Sequence, residues 1–184
     1  MTLRAASFTL IAVLGLLIHA FDASAHEVPV EVQLPLFQNI WKLDRNFNPA
    51  GSSIVVAVLF QESNVQSMAA RAAAFKWVQT TTGVTAVGVV MDRADWTTVL
   101  RVVEADVFYV TRMRGADIEA VAAIARSRGI RTMAGVHDYV SQGLNVGIGV
   151  RNDRPLIMIN LQAALAEGAA YQAQLLKLAE IVKK

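Results

Sequence analysis

Apolar and polar positions follow one another in blocks whose lengths and periods predict alternating strands and helices. Continuous apolar runs rich in β-branched residues, typical of strands buried on both faces, lie at 53–60, 84–91, 105–111 and 131–136. Apolar residues at three- and four-residue steps predict helices at 63–78 and 117–128, with Ser63 or Asn64 as the cap of the first. Repeated strand–helix–strand units predict a mainly parallel sheet covered by helices on both faces.

The N-terminal part of this pattern is less regular. Residues 28–47 begin as an extended stretch and then predict an amphipathic helix, which Asn48 and Pro49 end. The apolar face of that helix is predicted to consist of Val32, Leu36, Phe37, Ile40, Trp41 and Leu43. Residues 93–104 leave two interpretations open: a short helix capped by Asp95, or an extended approach to the third strand.

The last part of the pattern predicts a hairpin and two helices. Two apolar stretches that flank a polar turn at 151–154 predict antiparallel strands, 144–150 and 155–160, at one edge of the sheet. Helices are predicted after them, at 161–167 and 170–183. The predicted fold class is therefore α/β: a single-domain three-layer sandwich with a mainly parallel sheet and a C-terminal antiparallel hairpin.

Apolar stripes on the first and last predicted helices allow two interpretations. The stripe on the last helix is Tyr171, Leu175, Leu176, Leu178 and Ile181, and the first helix carries Phe37, Ile40 and Trp41 in the same way. Packing against the sheet explains such stripes best. A surface that binds a partner protein is the alternative.

The first 25 residues have the organisation of a secretory signal peptide. A positive start that includes Arg4 precedes an apolar run at 5–21, and Ala23-Ser24-Ala25 forms a small-x-small cleavage site. An uncleaved membrane anchor is the alternative, but the apolar run barely reaches the length of a membrane span. We expect cleavage after Ala25, a periplasmic location and a single domain over residues 26–184.

Composition and charge exclude several classes of site. The chain has 54% hydrophobic and 17% charged residues and no cysteine, so disulfides, thiolate metal sites and thiol nucleophiles are excluded. A net charge of +2 is too balanced to predict a nucleic-acid partner.

Motifs of the common enzymes are missing from the sequence. It carries no Gly-x-Ser-x-Gly, Ser-x-x-Lys or His-Glu-x-x-His motif, and Gly147-Ile148-Gly149 lies inside a strand pattern, where close backbone packing is expected. His26 and His137 together suggest a copper site, but a frayed terminus explains His26 better. We therefore predict no enzymatic activity, no metal and no cofactor.

Polar side chains gather where the predicted parallel strands end. Ligands of open parallel sheets bind outside the carboxyl ends of the strands, so these residues are candidates for a small-molecule site. They are Gln61, Ser63, Asn64, Asp92, Thr111, Arg112, Arg114 and His137. Arg112 and Arg114 are suited to an anionic group on a small ligand. The alternative is that these loops are polar because water surrounds them.

The C-terminal part of the chain carries a pattern with fairly specific spacing. Ile159-Asn160-Leu161-Gln162-Ala163-Ala164 is followed by Gly168 and Leu175-Leu176-Lys177-Leu178-Ala179, and preceded by Thr132-Met133, Tyr139 and Gly143. Asn160 is expected to cap a helix, and the leucines to form the buried face of the closing helix. In this pattern the chain resembles the YfiR-like family of periplasmic proteins, most strongly over residues 130–182. Ala134-Gly135 departs from the Ser-Asp pair that the family often has.

The resemblance implies a non-catalytic regulator. Such proteins bind the periplasmic sensor region of an inner-membrane diguanylate cyclase and repress it, which couples envelope conditions to cyclic-di-GMP signalling and biofilm formation. A membrane sensor kinase is the other partner to be expected. The alternative function is a small periplasmic solute-binding protein that uses the crevice at the strand carboxyl ends. The sequence leaves open whether the chain forms a homodimer.

Overall fold

The computed structural model describes residues 27–49, 51–152 and 154–182. Across these residues seven strands form one sheet: β1 (Ile54–Phe60), β2 (Val84–Val90), β3 (Val107–Val110), β4 (Arg131–Ala134), β5 (Val146–Arg151), β6 (Arg154–Asn160) and β7 (Glu180–Val182). Their order across the sheet is β2-β1-β3-β4-β5-β6-β7. All neighbouring strands are parallel except β5 and β6, which form the predicted antiparallel hairpin.

Helices connect most of the strands. Within the same residues they are α1 (Val30–Lys42), α2 (Val65–Gln79), α3 (Trp96–Val102), α4 (Ile118–Arg128), α5 (Asp138–Ser141), α6 (Leu161–Ala166) and α7 (Ala173–Leu178). The ambiguous stretch at 93–104 is therefore a helix, α3, although the Asp95 side chain makes no capping hydrogen bond. Asn64 and not Ser63 caps α2, because its side chain accepts hydrogen bonds from the backbone of Gln66 and Ser67.

The helices lie in two layers, one on each face of the sheet. Val56 and Val58 of β1 pack in one apolar cluster with residues of α1, α2 and α7, whereas Ala57 and Leu59 pack in a second cluster with residues of α3, α4 and α5. This alternation follows from the two-residue period of a strand. The predicted α/β class and three-layer sandwich are confirmed.

The helix ends are set largely by the residues that the sequence indicated. Asp117 accepts a hydrogen bond from the backbone of Ala120 at the start of α4, and Gly129 ends α4 in the left-handed region, with φ 66°. Asn160 accepts from the backbone of Ala163 and caps α6, as expected. A Cβ atom at Gly147 would lie 2.4 Å from Cγ2 of Val140, so the glycines of β5 serve close packing.

The apolar face predicted for α1 is partly wrong. Val32 is 41% exposed, whereas Gln33 and Leu34 are buried. Pro29 precedes the helix, and Nε2 of Gln33 donates a hydrogen bond to the carbonyl oxygen of Val28, so this polar side chain is satisfied in a buried position. Phe37, Ile40 and Trp41 are buried as predicted, and they belong to the core.

The closing helix is wrong over much of its predicted length. The structure has a six-residue helix, α7, and then a strand, β7, that pairs in parallel with β6. Ile181 and Val182 are β-branched and find an open strand edge beside them, which explains why the helix ends early. Leu178 is 73% exposed, Leu176 is half-buried and Leu175 is buried, so only part of the predicted stripe packs against the sheet. The hairpin consequently lies one strand in from the edge.

The predicted signal peptide, residues 1–25, and its cleavage site lie outside the described residues. None of the helices in the described part of the chain combines the length and hydropathy that crossing a bilayer requires.

Candidate functional site

A cavity of about 330 Å³ lies at the carboxyl ends of β3 and β4, beside the point where the strand order reverses. From β1 the chain goes first to β2 on one side and then to β3 on the other, so the carboxyl ends of β1 and β3 flank an open crevice. The residues that line the cavity come from the start of α1, from one face of α2 and from the ends of β3 and β4. They are Glu27, Val28, Pro29, Val30, Glu31, Gln33, Gln66, Ala69, Ala70, Ala73, Tyr109, Thr111, Arg112, Gly135 and Val136.

The inner wall of the cavity is held by the buried side chain of Gln33. Its Oε1 accepts a hydrogen bond from the Tyr109 hydroxyl at 2.8 Å, and its Nε2 donates to the carbonyl oxygen of Val28. A Cβ atom at Gly135 would lie 2.1 Å from Nε2 of Gln33, so the glycine makes room for this side chain. Burial raises the pKa of Tyr109, which therefore stays a neutral hydrogen-bond donor.

Thr111 lies in the cavity, but its hydroxyl is already used inside the protein. It donates to the carbonyl oxygen of Leu59 at 2.8 Å, and it accepts from the Ser67 hydroxyl at 2.6 Å. The Ser67 oxygen in turn accepts from the backbone N–H of Gln61 at 2.9 Å. This chain of hydrogen bonds joins β1, α2 and β3 and fixes the shape of the crevice.

Gln61 and Asn64 hold the loop that follows β3. The Gln61 amide makes two hydrogen bonds with the backbone of Arg114, donating at 2.9 Å and accepting at 2.7 Å. Asn64 caps α2 with its oxygen and donates from its nitrogen to the carbonyl oxygen of Arg112 at 3.3 Å. Asn64 thus holds the backbone of Arg112, and Gln61 holds the backbone of Arg114 two residues further on.

Asp92 and Ser63 meet in a contact between the loops after β1 and β2. The Asp92 carboxylate accepts from the backbone N–H groups of Ser63 at 2.9 Å and Glu62 at 3.2 Å. These hydrogen bonds lower the pKa of Asp92. Neither residue lines the cavity, so they contribute to the order of the crevice rim.

Arg112 carries the charge that faces the cavity. Its guanidinium forms an ion pair with the Glu27 carboxylate, and the two side chains are 42% and 34% exposed. The hydrogen bond to Glu27 raises the pKa of Arg112, so the group is a permanent cation. An anionic side chain of the same chain thus lies where the sequence predicted an anionic ligand.

The structure does not bring Arg114 and His137 into this cavity. The Arg114 residue is exposed and is tied to Gln61 through its backbone. His137 lies 2.8 Å from Asp138 and lines a separate surface depression beside the hairpin, with Gly149 and Met158 among its neighbours. His26, the other residue of the copper hypothesis, lies outside the described residues.

Several residues of the cavity were missed by the sequence argument. Glu27 directly precedes the predicted amphipathic segment 28–47, which contains Gln33, and Tyr109 lies in the predicted third strand. Two signals were available: a glutamine in the middle of an apolar face, and the alanines at 69, 70 and 73, whose small side chains leave space on one face of α2.

The comparison with protein families decides where this chain belongs. A family model described as YfiR/HmsC-like matches residues 48–180, from the turn before β1 to the start of β7. The chain belongs to the YfiR/HmsC-like family. The match extends well upstream of residue 130, whereas the resemblance in the sequence is strongest over residues 130–182. Membership in this family supports a regulatory role.

Solved structures show the same fold at low sequence identity. A conserved domain protein from Vibrio cholerae superimposes with a TM-score of 0.65 at 15% identity, over 84% of this chain and 60% of that one. An ABC domain in complex with L-Trp, from Streptococcus pneumoniae, superimposes with a TM-score of 0.60 at 15% identity and the same coverage. The chain therefore spans about 60% of the length of each. No curated protein gives a significant match.

Proposed function

We propose that this protein is an exported, non-enzymatic regulator that binds the periplasmic region of an inner-membrane signalling protein. A diguanylate cyclase is the partner that we expect first, and a sensor kinase is the alternative. The observation that carries the proposal is the family match over residues 48–180.

The chemistry of the crevice is consistent with binding and gives no support to catalysis. The polar groups of Gln61, Asn64 and Thr111 are used in hydrogen bonds that connect loops, strands and α2. Arg112 is a cation suited to electrostatic recognition. The side chain that it pairs with is the Glu27 carboxylate, and no nucleophile is among the hydrogen-bond partners of Arg112 in the described residues. These residues therefore serve shape and recognition.

Regulation by such a protein is a shift between two states of its partner. If the regulator binds the inactive state more tightly than the active one, it shifts the equilibrium toward the inactive state, at saturation by a factor equal to the ratio of the two affinities. A ligand or a second envelope component that binds the regulator reverses the effect by mass action.

The test uses the organism that encodes the chain. Deletion of the gene should raise cellular cyclic-di-GMP, measured by mass spectrometry, and expression of residues 1–184 should restore the original concentration. The matched control is the same chain without residues 2–25, which should fail to restore it, because it would remain in the cytoplasm.

Cross-linking from the envelope identifies the partner in the same strains. An inner-membrane protein with a periplasmic region and a cyclase or kinase domain should be recovered with the exported chain and not with the truncated one. Unchanged cyclic-di-GMP together with unchanged kinase-dependent signalling, and no such protein recovered, would contradict the proposal.

A second candidate function is solute binding in the cavity at the strand carboxyl ends. It is favoured by the volume of about 330 Å³ beside Arg112, and by the fold that the chain shares with the Streptococcus pneumoniae domain in complex with L-Trp. Under this function, small anions should raise the melting temperature of the protein, and Arg112→Ala should abolish the increase. A metabolite library that stabilises neither protein would exclude it.

A further inference from the structure

The ion pair between Glu27 and Arg112 lies on the lining of the cavity described above. Both side chains are partly exposed, so water and small solutes can reach the pair. Ion pairs of this exposure are weak and exchange their partners readily. The Glu27 carboxylate therefore occupies a position beside Arg112 in which another anion could bind.

The buried polar side chains of the cavity have fixed partners. Gln33 bonds to Val28 and Tyr109, and the Thr111 hydroxyl bonds to Leu59 and Ser67. Exchanging any of these buried hydrogen bonds would leave a buried polar atom unpaired, at a considerable cost. Arg112 is consequently the group of this set whose partner can be replaced at least cost.

The remaining wall suits a small apolar body. Apolar side chains make up much of it: Ala69, Ala70 and Ala73 of α2, with Val28 and Val136. A volume of about 330 Å³ is at the lower end of the range for small-molecule sites, so the ligand has roughly the size of one aromatic ring with a short side group.

The Glu27 side chain can leave without unfolding the segment that carries it. The next residue, Val28, is 5% exposed and belongs to the core cluster of α1, and its carbonyl oxygen is held by Gln33. Pro29 then fixes the backbone at the start of α1. A ligand therefore needs to displace only one side chain.

Charge explains why such displacement regulates binding. Among the described residues that line the cavity, Glu27 and Glu31 are acidic and Arg112 is basic. While Glu27 is paired with Arg112, a second carboxylate finds no free partner and meets two like charges. Binding of an anion therefore competes with the pairing of Glu27 and Arg112.

We infer that the cavity is a site for a small monocarboxylate with an apolar body, and that Glu27 is a built-in competitor which occupies the position of the ligand carboxylate on Arg112. This inference rests on the second candidate function, solute binding in the cavity. It deepens that function by naming the ligand class and the residue that controls affinity.

Phenylacetate is the probe for the test, and phenylacetamide is its neutral isostere. Both are titrated by calorimetry into protein purified after expression of the full sequence. Glu27→Gln should raise the affinity for phenylacetate about fivefold, because it removes the competitor and keeps the size of the side chain. The matched control is Glu31→Gln, which removes the same charge from the same cavity and should raise the affinity less than twofold.

Arg112→Gln supplies the second arm. In the Glu27→Gln background it should abolish the preference for phenylacetate over phenylacetamide, while the melting temperature stays within a degree or two, because both residues are partly exposed. Equal gains from Glu27→Gln and Glu31→Gln would show general repulsion and overturn the competitor role. Absence of phenylacetate binding by the Glu27→Gln protein would overturn the site itself, whereas the cyclic-di-GMP test of the regulator would be unaffected.

Discussion

Ion pairs at the two ends of the parallel strands differ in their exposure to water. At the carboxyl ends, Arg112 and Glu27 form an ion pair that is more than one third exposed on both sides. At the amino ends, Arg131 and Asp44 form an ion pair at 2.8 Å whose side chains are 7% and 2% exposed. The same pair of chemical groups thus occurs once beside water and once inside the protein.

The buried pair is part of a wider network. Arg131 also donates to the carbonyl oxygens of Gly129 and Gly168, and the second oxygen of Asp44 accepts from the backbone of Ala170 at 2.8 Å. Beside it, the buried Glu167 carboxylate accepts from the backbone and hydroxyl of Thr132 and from the amide of Asn145. The network ties the end of α1 to β4, β5 and the end of α6.

Burial decides what each pair can do. A buried ion pair is costly to break, because the remaining charge has no water to replace its partner. An exposed pair costs little to break and can exchange its partner for a ligand. The buried pair at the amino end therefore contributes mainly to stability, and the exposed pair at the carboxyl end suits the binding that we propose.

The largest expected effect tests the buried pair. Arg131→Met removes the cation paired with the buried Asp44 carboxylate, and it removes one donor to the carbonyl oxygen of Gly168. We expect the free energy of unfolding to fall by about 3–5 kcal/mol, measured by urea denaturation at pH 7.

The matched control for Arg131→Met is Arg93→Met at the carboxyl end. Arg93 and Asp95 form a hydrogen-bonded pair at 3.0 Å, but their side chains are 63% and 51% exposed. This variant should unfold at the urea concentration of the original protein. If the two variants lost equal free energies of unfolding, burial would not explain the difference between the two ends of the strands.

The second prediction concerns pH and the same network. Burial raises the pKa of Glu167 to about 7, against an ordinary value of 4.5, although Thr132, Asn145 and Arg131 oppose the shift. The folded state therefore binds a proton more tightly than the unfolded state does. The stability from this proton is complete below pH 4.5 and is lost as the pH rises through 7.

The expected loss between pH 4.5 and pH 8 is about 3 kcal/mol of the free energy of unfolding, as the difference between the two pKa values implies. Denaturation of the original protein and of Glu167→Gln across this range measures it. The variant keeps an oxygen acceptor and cannot titrate, so its stability should change much less with pH. Parallel curves for the two proteins would assign the pH dependence to other groups.

Much of the fold follows from short-range patterns. Strand-length apolar runs located β1 to β4, and Asn64, Asp117 and Asn160 located helix starts, because buried strands and capping side chains act within a few residues. The closing helix was wrong because β7 depends on the open edge of β6, which lies about 20 residues away in sequence. The spacing of apolar residues within one segment contains no information about a strand edge so far away in the sequence.

The sequence predicted the position of the candidate site in the fold, but it predicted only some of the residues that line it. The rule for open parallel sheets located the crevice and identified Arg112 and Thr111. Glu27 comes from a segment 85 residues earlier, and its pairing with Arg112 depends on how α1 packs across the sheet. Polar residues that organise loops are of the same types as polar residues that bind ligands. The sequence therefore could not distinguish the loop-organising role of Gln61, Asn64 and Asp92 from ligand binding.

The smallest effect tests whether the carboxyl end is held by local hydrogen bonds rather than by a buried network. Asn64→Ala removes the cap of α2 and the hydrogen bond to the Arg112 carbonyl oxygen. We expect the free energy of unfolding to fall by about 1 kcal/mol, the usual cost of losing such a cap. Urea denaturation measures it.

Asn64→Asp separates the two roles of this residue, because an aspartate accepts the capping hydrogen bonds but cannot donate to Arg112. It should keep nearly all of the stability while changing the amide chemical shifts of Arg112 and its neighbours, measured by NMR. A loss as large as that caused by Arg131→Met would mean that the crevice carries a share of the global stability. The division between a rigid amino end and an exchangeable carboxyl end would then be wrong.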